Sequence, residues 1–414
     1  MNFNYLTMAS KLHDNRSLSG LLAGHERALA GIGGRRRDGA VADGETVAFH
    51  FVQTGGVENE VMRRYRSRVQ QGRAGLMLLI AHPAHNSLPA ALEILAQVRQ
   101  ENGAGRIYLL KGLDDSQTLS EIAQTALCLE ANRKLSEDRL GVVGASSDWL
   151  VASSHRPEVV TVRFGTKVVP LSVEELRANI AKDPAPANGP EFAAWDRAAG
   201  AEGVTREGFA CAAGVSRGLE ELVKTYRLSA VTVRCFDLVV QDGTTGCLAL
   251  SRLADKGITA GCEGDIPSVM MLRWLWHLTG KAGWMANPSD LDVRKGELLL
   301  AHCTVPLGLV GEHRLKTHFE SGLGIGIDGT FPHGPVTLLR LGGANLDRWW
   351  GAEGALFESR HEDGLCRTQV RVRIPPPAAA ELLEAPLGNH LVLVPGHVKA
   401  LFREAFELCG AARA

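Results

Sequence analysis

Apolar positions fall into two textures along this chain. Through the first half, short apolar runs alternate with amphipathic stretches. ETVAFHFV (45–52), AGLMLLIA (74–81), RIYLLKGL (106–113) and DRLGVVGA (138–145) read as buried strands. Between them, LPAALEILAQVRQENG and LSEIAQTALCLEANRKLSED space their apolar residues as helices do. Such alternation predicts βαβ units and a mostly parallel sheet. A second α/β series runs from EVVTVRFGTKVVPLS (158–172) to SAVTVRCFDLVV (229–240), with AKDPAPANGPEF (181–192) as a flexible interruption. After about residue 290, GELLLAHCTVPLGLV, GLGIGIDGTF, PVTLLRLGG, CRTQVRVRIPPP and NHLVLVPGHV are short strands broken by Gly and Pro, the mark of an antiparallel sheet or barrel. KALFREAFELCG then closes the chain as an amphipathic helix with Gly410 as its cap. The expected fold is α/β: two Rossmann-like parallel-sheet domains (1–157 and 158–257) followed by a C-terminal domain (258–414), β-rich and antiparallel barrel-like after about residue 290.

Composition narrows the function. In 414 residues, 45 Lys and Arg face 46 Asp and Glu, so no charge excess argues for nucleic acid or an anionic membrane. Arg35, Arg36 and Arg37 read as a solvated loop. Met1 leads into NFNYLTMASKLHDNR rather than an apolar leader, and no apolar run nears the ~20 residues that span a bilayer. Cysteines 128, 211, 235, 247, 262, 303, 366 and 409 include no CxxC pair, which suits reduced thiols and a cytoplasmic protein.

Glycine-rich GIGG (31–34) and GLGIGIDG (322–329) lack the strand–loop–helix context of a phosphate loop; the second reads as hairpin glycines. In LIAHPAHNSLPAALEIL (79–95) a strand ends at Ala81 and a helix begins near Ser87. His82, His85, Asn86 and Ser87 are therefore expected at a strand's C-terminal edge, where α/β sheets bind ligands, with helix capping by Asn86 or Ser87 as the bland alternative. Glu263 and Asp265 precede Pro267 and an apolar helix, so capping is the plain reading there too. His302 follows the buried-strand pattern LLLA, and His390 in GNH precedes LVLV. His318 and Glu320 in THFESGLG share a face if that segment is extended. Together, carboxylate and imidazole form the donor set for Mn2+ or a similar divalent ion. Arg367 suits an anionic substrate group or a salt bridge. Cys262 and Cys303 adjoin these residues, with nothing to suggest an activated thiolate. Trp274, Trp276, Met270 and Met271 read as core or subunit interface.

Taken in order, these residues resemble the L-fucose/L-arabinose isomerase family over most of the chain. The likeness is clearest from Gly261 to His302 and from Gly388 to the final helix; LIAHPAHNSLPAALEILAQV and GVVGASSDWLV look like segments of shorter fucose-isomerase-like members. The resemblance implies that Glu263, in an E-x-D segment before a helix, binds the metal. It matches Asn287 of MANPSD to the second acidic ligand, His302 of AHCTVPLG to a ligand histidine and His390 of GNHLVLV to the C-terminal one. It further implies Mn2+ (or Co2+, Mg2+ or Zn2+), a small-molecule sugar substrate, no nucleic-acid or membrane partner, and a homo-oligomer, trimer or hexamer. There a neighbour's N-terminal domain, with His82, His85 and Asn86, would complete each site.

Asn287 departs from the family pattern. Aldose–ketose isomerisation moves a proton between C1 and C2 through an enediol, beside a metal that polarises the substrate oxygens. Asparagine offers a neutral oxygen but accepts no proton, so Asp265, Asp290 or Glu320 would have to serve as the second base beside Glu263. The expected activity is a metal-dependent sugar isomerase with catalytic Glu263, Asp265 and Glu320, and with His318 and Arg367 on the substrate. The alternatives are an epimerase, lyase or decarboxylase acting on a sugar acid, or a non-catalytic sugar-binding protein on the same scaffold.

Overall fold

The structure is a computed structural model that describes residues 2–11, 15–37, 49–72, 75–182 and 201–411. The chain divides into two compact units, one of residues 1–133 with 401–414 and one of residues 134–400.

The first unit holds a five-stranded parallel sheet of order β2-β1-β3-β4-β5, formed by β1 (Phe3–Met8), β2 (Gly34–Arg37), β3 (Phe49–Val52), β4 (Leu76–Ala81) and β5 (Ala104–Leu109). Connecting it are helices α1 (Asn15–Gly31), α2 (Glu58–Gln70), α3 (Ser87–Gln100) and α4 (Ser116–Glu137), the last of which runs through the boundary at residue 133. Every residue of β4 is buried, as befits a parallel strand covered on both faces. Two features depart from expectation. FNYLTM, which is not among the segments read as strands, forms β1 inside the sheet, with Phe3, Tyr5, Leu6 and Met8 buried. Arg35–Arg37 form the exposed edge strand β2 rather than a loop; charged side chains there deter pairing with another chain. Residues 45–48 of the expected strand ETVAFHFV lie outside the described residues, as does AKDPAPANGPEF from residue 183 on.

In the second unit a parallel sheet of order β10-β9-β6-β7 comprises β6 (Arg139–Val143), β7 (Lys167–Leu171), β9 (Ala230–Val233) and β10 (Thr259–Cys262). It thus draws strands from all three expected segments: DRLGVVGA belongs here and not with the N-terminal sheet, and TAGC pairs with β9. Its helices are α5 (Pro157–Phe164), α6 (Val173–Lys182), α7 (Arg206–Tyr226), α8 (Cys235–Asp242), α9 (Cys247–Asp255) and α10 (Ile266–Thr279). Helix α10 is mostly apolar and buried on most sides, with Met271 and Trp274 fully enclosed and Trp276 half-buried, while Arg273 and His277 on one face pair with Asp138.

A closed antiparallel barrel of order β11-β12-β17-β16-β15-β18 follows: β11 (Trp284–Asp292), β12 (Glu297–His302), β15 (Gly334–Gly342), β16 (Arg348–Arg360), β17 (Thr368–Arg373) and β18 (Leu391–Pro395). Trp284, Leu298, Leu300, Leu338 and Leu393 belong to its apolar core, and closure leaves no free edge. Strands β13 (Glu312–Lys316) and β14 (Gly326–Thr330), with the short β8 (Ala201–Glu202), form a three-stranded sheet; GLGIGIDG is thus part of a hairpin, as its glycines suggested. Helix α11 (Pro376–Glu384) precedes β18, and α12 (Lys399–Ala411) returns to the first unit from Leu401 on. There Glu404 accepts hydrogen bonds from Arg106, Gln124 and Thr125. No helix among the described residues is long and apolar enough to cross a membrane.

Candidate functional site

Beyond the C-terminal ends of β6, β9 and β10, the second unit contains a cavity of about 410 Å3, lined by residues that follow those strands (Trp149, Cys235, Phe236, Glu263) and by one end of the barrel (Asn287, His302, Asn389). Carboxyl ends of parallel strands are where such sheets bind ligands.

Local backbone geometry aims Glu263 into this space. It directly follows β10 with a φ of 65°, a left-handed conformation that costs a β-carbon residue of order 1 kcal/mol or more and that the surroundings must enforce. Gly264 follows at φ 70°, where a Cβ would sit 2.4 Å from the Ala145 carbonyl oxygen. The Ser147 amide donates to the Glu263 carbonyl, and the Trp149 indole N–H donates to Glu263 Oε2 at 2.7 Å. Oε1 is left facing two imidazoles: His390 Nε2 at 3.4 Å and His302 Nε2 at 4.0 Å.

Asp265 supports this arrangement from behind. Its Oδ1 caps α10 by accepting from the Ser268 amide, and its Oδ2 accepts from His390 Nδ1 at 2.8 Å and from Arg340 at 3.0 Å. Arg340, only 1% exposed, also donates to Ser268 Oγ and Ser153 Oγ. Burial opposes the charge on Asp265, but Arg340, His390 and the Ser268 amide outweigh it and hold the carboxyl well below the usual range. Burial likewise opposes charge on Glu263, and His390, His302 and Trp149 bring its pKa down. His390 is pushed up to about 9: burial disfavours its charge, yet the two carboxylates dominate. His302 goes the other way, to about 4, through burial and the neighbouring His390.

The sequence-predicted residues divide in three. Glu263, His302 and His390 come together, each offering a donor atom within 4.8 Å of the others, and all three are buried. Asn287, His318 and Glu320 line the same cavity. His318 and Glu320 arrive there differently from expectation, because residues 319–321 turn and the Gly322 amide bonds back to the His318 carbonyl. Burial, then Arg367, lowers the His318 pKa. The rest do not line the cavity. Asp265 is fully buried against Arg340, exposed Asp290 lies on β11, and Arg367 donates to the Thr317 carbonyl at 2.8 Å, fixing the loop. His82, His85 and Asn86 belong to the first unit. His82 is buried, with Nε2 against the Gln53 carbonyl and Nδ1 accepting from the Ala84 amide, so it holds a turn. Asn86 occupies the cap position of α3 without a side-chain cap bond, and Ser87 instead donates to the Val52 carbonyl.

Sequence reasoning missed Trp149, Phe236 and Arg340. A lone arginine within the apolar strand VTLLRLG was the available signal for Arg340. It also missed that five cysteines (235, 247, 262, 303 and 366) meet at this cavity. All five are free thiols, and the neighbouring Cys235 and Cys247 raise the pKa of Cys262, whose sulfur lies 2.9 Å from Thr304 Oγ1.

No family model matches this sequence, and no curated protein does either. The chemistry therefore has to be judged from the donor set. With Nδ1 donating to Asp265, His390 presents Nε2 as a buried atom without a hydrogen-bond partner. A carboxylate behind an imidazole is the usual support for a metal ligand, since it fixes tautomer and ring angle. Glu263, already ionised, supplies an anionic oxygen beside it. Ligand atoms about 2.0–2.3 Å from a common ion lie ~3–4 Å apart, consistent with the separations here. His302 fits less well, because its Nδ1 accepts from the Thr304 amide at 3.2 Å and its proton therefore sits on Nε2. Coordination through Nε2 requires that proton to move and the Thr304 bond to yield. The group can hold a divalent ion once His390, kept protonated by its two carboxylate neighbours, releases its Nε2 proton; Glu263 and His390 are then the stronger donors.

Proposed function

We propose that this protein is a metal-dependent sugar isomerase of the L-fucose/L-arabinose isomerase type, interconverting an aldose and a ketose through an enediol, with Mn2+ as its ion and a homo-oligomeric assembly. The observation that carries this reading is the Glu263–His302–His390 group, with the orphaned His390 Nε2 aimed into it by Asp265. A divalent ion there would polarise the substrate's carbonyl and hydroxyl oxygens, lowering the cost of removing a proton from carbon. Glu263 would hold the ion with Oε1 while Trp149 fixes Oε2. Glu320, exposed on the cavity wall, is the other carboxylate of the lining and would carry a proton between C1 and C2. His318, kept neutral, would donate to a substrate hydroxyl, and Asn287 and Asn389 would do the same from the barrel side. Trp149 and Phe236 pack edge to face at 4.9 Å and give the apolar side of a sugar a wall. No lysine or arginine is among the described residues lining the cavity, which favours a neutral polyhydroxy substrate over a phosphorylated one.

Asn287 favours a second reading, a metal-dependent epimerase or lyase acting through the same enediol, because one partner of a base pair is neutral. Metal content by elemental mass spectrometry, followed by solvent deuterium uptake at C2 of candidate aldoses, separates these readings. Near-stoichiometric metal in the wild type, its loss in Glu263→Gln, and deuterated ketose product are expected. Full turnover by Glu263→Gln would sink the isomerase reading, and an epimer or a cleaved product in place of the ketose would select the second.

A further inference from the structure

Three loops leave the parallel sheet of the second unit, after β6, β9 and β10, and Arg234 ties them together. Its amide donates to the carbonyl of Val143, the last residue of β6, at 2.9 Å, and the Gly264 amide donates to the carbonyl of Val233, the residue before Arg234. The guanidinium then grips the loop after β6. Nη1 donates to the Ser146 carbonyl at 2.8 Å and to Asp148 Oδ1 at 3.1 Å, and Nη2 donates to Asp148 Oδ2 at 2.7 Å. Nε donates to Asp237 Oδ1 at 3.0 Å, which anchors the whole group to α8. Gly144, at φ 82°, lets the loop pass, since a Cβ there would lie 2.9 Å from the Arg234 Cβ. The guanidinium is planar and its donors form a fixed fork, so these bonds define where residues 146–148 lie and do not merely neutralise a charge.

What this loop carries is Glu263. The Ser147 amide holds the Glu263 carbonyl, Ser146 Oγ donates to the Gly264 carbonyl at 2.9 Å, and the Trp149 indole holds Oε2. Phe236, two residues beyond Arg234, packs against the Trp149 ring. Neither Arg234 nor Asp148 lines the cavity, and the Asp148 side chain is 85% exposed. We propose that Arg234 is a positioning residue: from outside the cavity, through residues 146–149, it fixes Trp149 and thereby sets the direction of the Glu263 carboxylate. Its effect on an ion rests on the metal reading above, whereas its effect on Trp149 does not.

The test is a double-mutant cycle on the full-length protein with Co2+ as the probe, comparing wild type, Arg234→Gln, Trp149→Phe and the double variant by calorimetric titration. Arg234→Gln should weaken Co2+ binding roughly 10–100-fold, as loss of a ligand's outer support does. Added to Trp149→Phe, the same substitution should change the affinity little. In the metal-free protein, the emission of Trp149 is the difference between each chain and its Trp149→Phe counterpart. Arg234→Gln should shift it to longer wavelength and make it easier to quench with acrylamide. Asp148→Ala, at an exposed side chain, should produce both effects to a smaller degree, and it decides the matter if Arg234→Gln does not fold. Wild-type Co2+ affinity, unchanged Trp149 emission or fully additive losses in the double variant would each overturn the proposal. A wild-type protein that binds no Co2+ would instead refute the metal reading, and the Trp149 emission would then decide the positioning role by itself.

Discussion

Asp265 illustrates how much one buried carboxylate settles in this protein. It caps a helix, neutralises Arg340 and orients His390, so its removal has two separable consequences. Asp265→Asn should leave Arg340 as an unpaired buried charge, at a cost of about 3–5 kcal/mol. It should also weaken divalent-metal binding by roughly 10–100-fold, since His390 loses the partner that holds its tautomer. Adding Arg340→Met should recover much of the stability but none of the affinity. Urea denaturation and cobalt titration of both variants measure the two effects, and recovery of affinity along with stability would show that Asp265 acts only on the fold. Glu263 makes the complementary point: its left-handed backbone is the kind of strain expected where a side chain must be aimed at a site.

Between elements, the decisive contacts are those that bring barrel residues to the edge of a parallel sheet. Gly388, before β18, has φ 145°, and a Cβ there would stand 2.3 Å from the Arg340 guanidinium. Gly388→Ala should therefore displace Arg340 from Asp265 or shift the segment carrying His390. Either way it should lower the melting temperature and weaken metal binding in parallel; a wild-type melting curve would mean that the segment yields freely. Helix α12 plays a matching part in the first unit, where Asn132 donates to the Ala405 carbonyl at 2.9 Å and Glu404 gathers three donors. Its sequence showed an amphipathic helix but not which sheet it would cover.

Across the molecule, stability should fall as the solution is acidified, and His50 gives that trend a specific source. Burial, then Arg68 and Arg64, lowers its pKa from 6.5 to about 3. Above pH 6.5 the ring is neutral in both folded and unfolded chains and has no effect. Below it the unfolded chain binds a proton that the folded one refuses, so stability is lost as pH falls from about 6.5 toward 3. At pH 5 the contribution is about 2 kcal/mol. Urea denaturation at pH 7.5 and pH 5 should show a smaller pH effect in His50→Gln by that amount, and identical pH effects in the two proteins would exclude His50 as the source.

The fold class and the metal-type donors were legible in the sequence because both depend on local signals. Alternating apolar runs dictate strands and helices through burial, and histidines or carboxylates at strand ends stay there whatever surrounds them. So the two parallel sheets and the β-rich end could be read directly, as could a set of strand-end donors from which the family resemblance picked Glu263, His302 and His390. Partnership could not. That DRLGVVGA joins the second sheet, that NFNYLTM supplies a sheet strand, and that Arg340 reaches Asp265 across 75 positions all depend on pairings between distant segments. The same holds for Asp265 and Arg367, expected at the substrate yet tied to Arg340 and Thr317. Such pairings are selected by the free energy of the whole packed structure, to which any single segment contributes only a part, and the tertiary structure alone decides them.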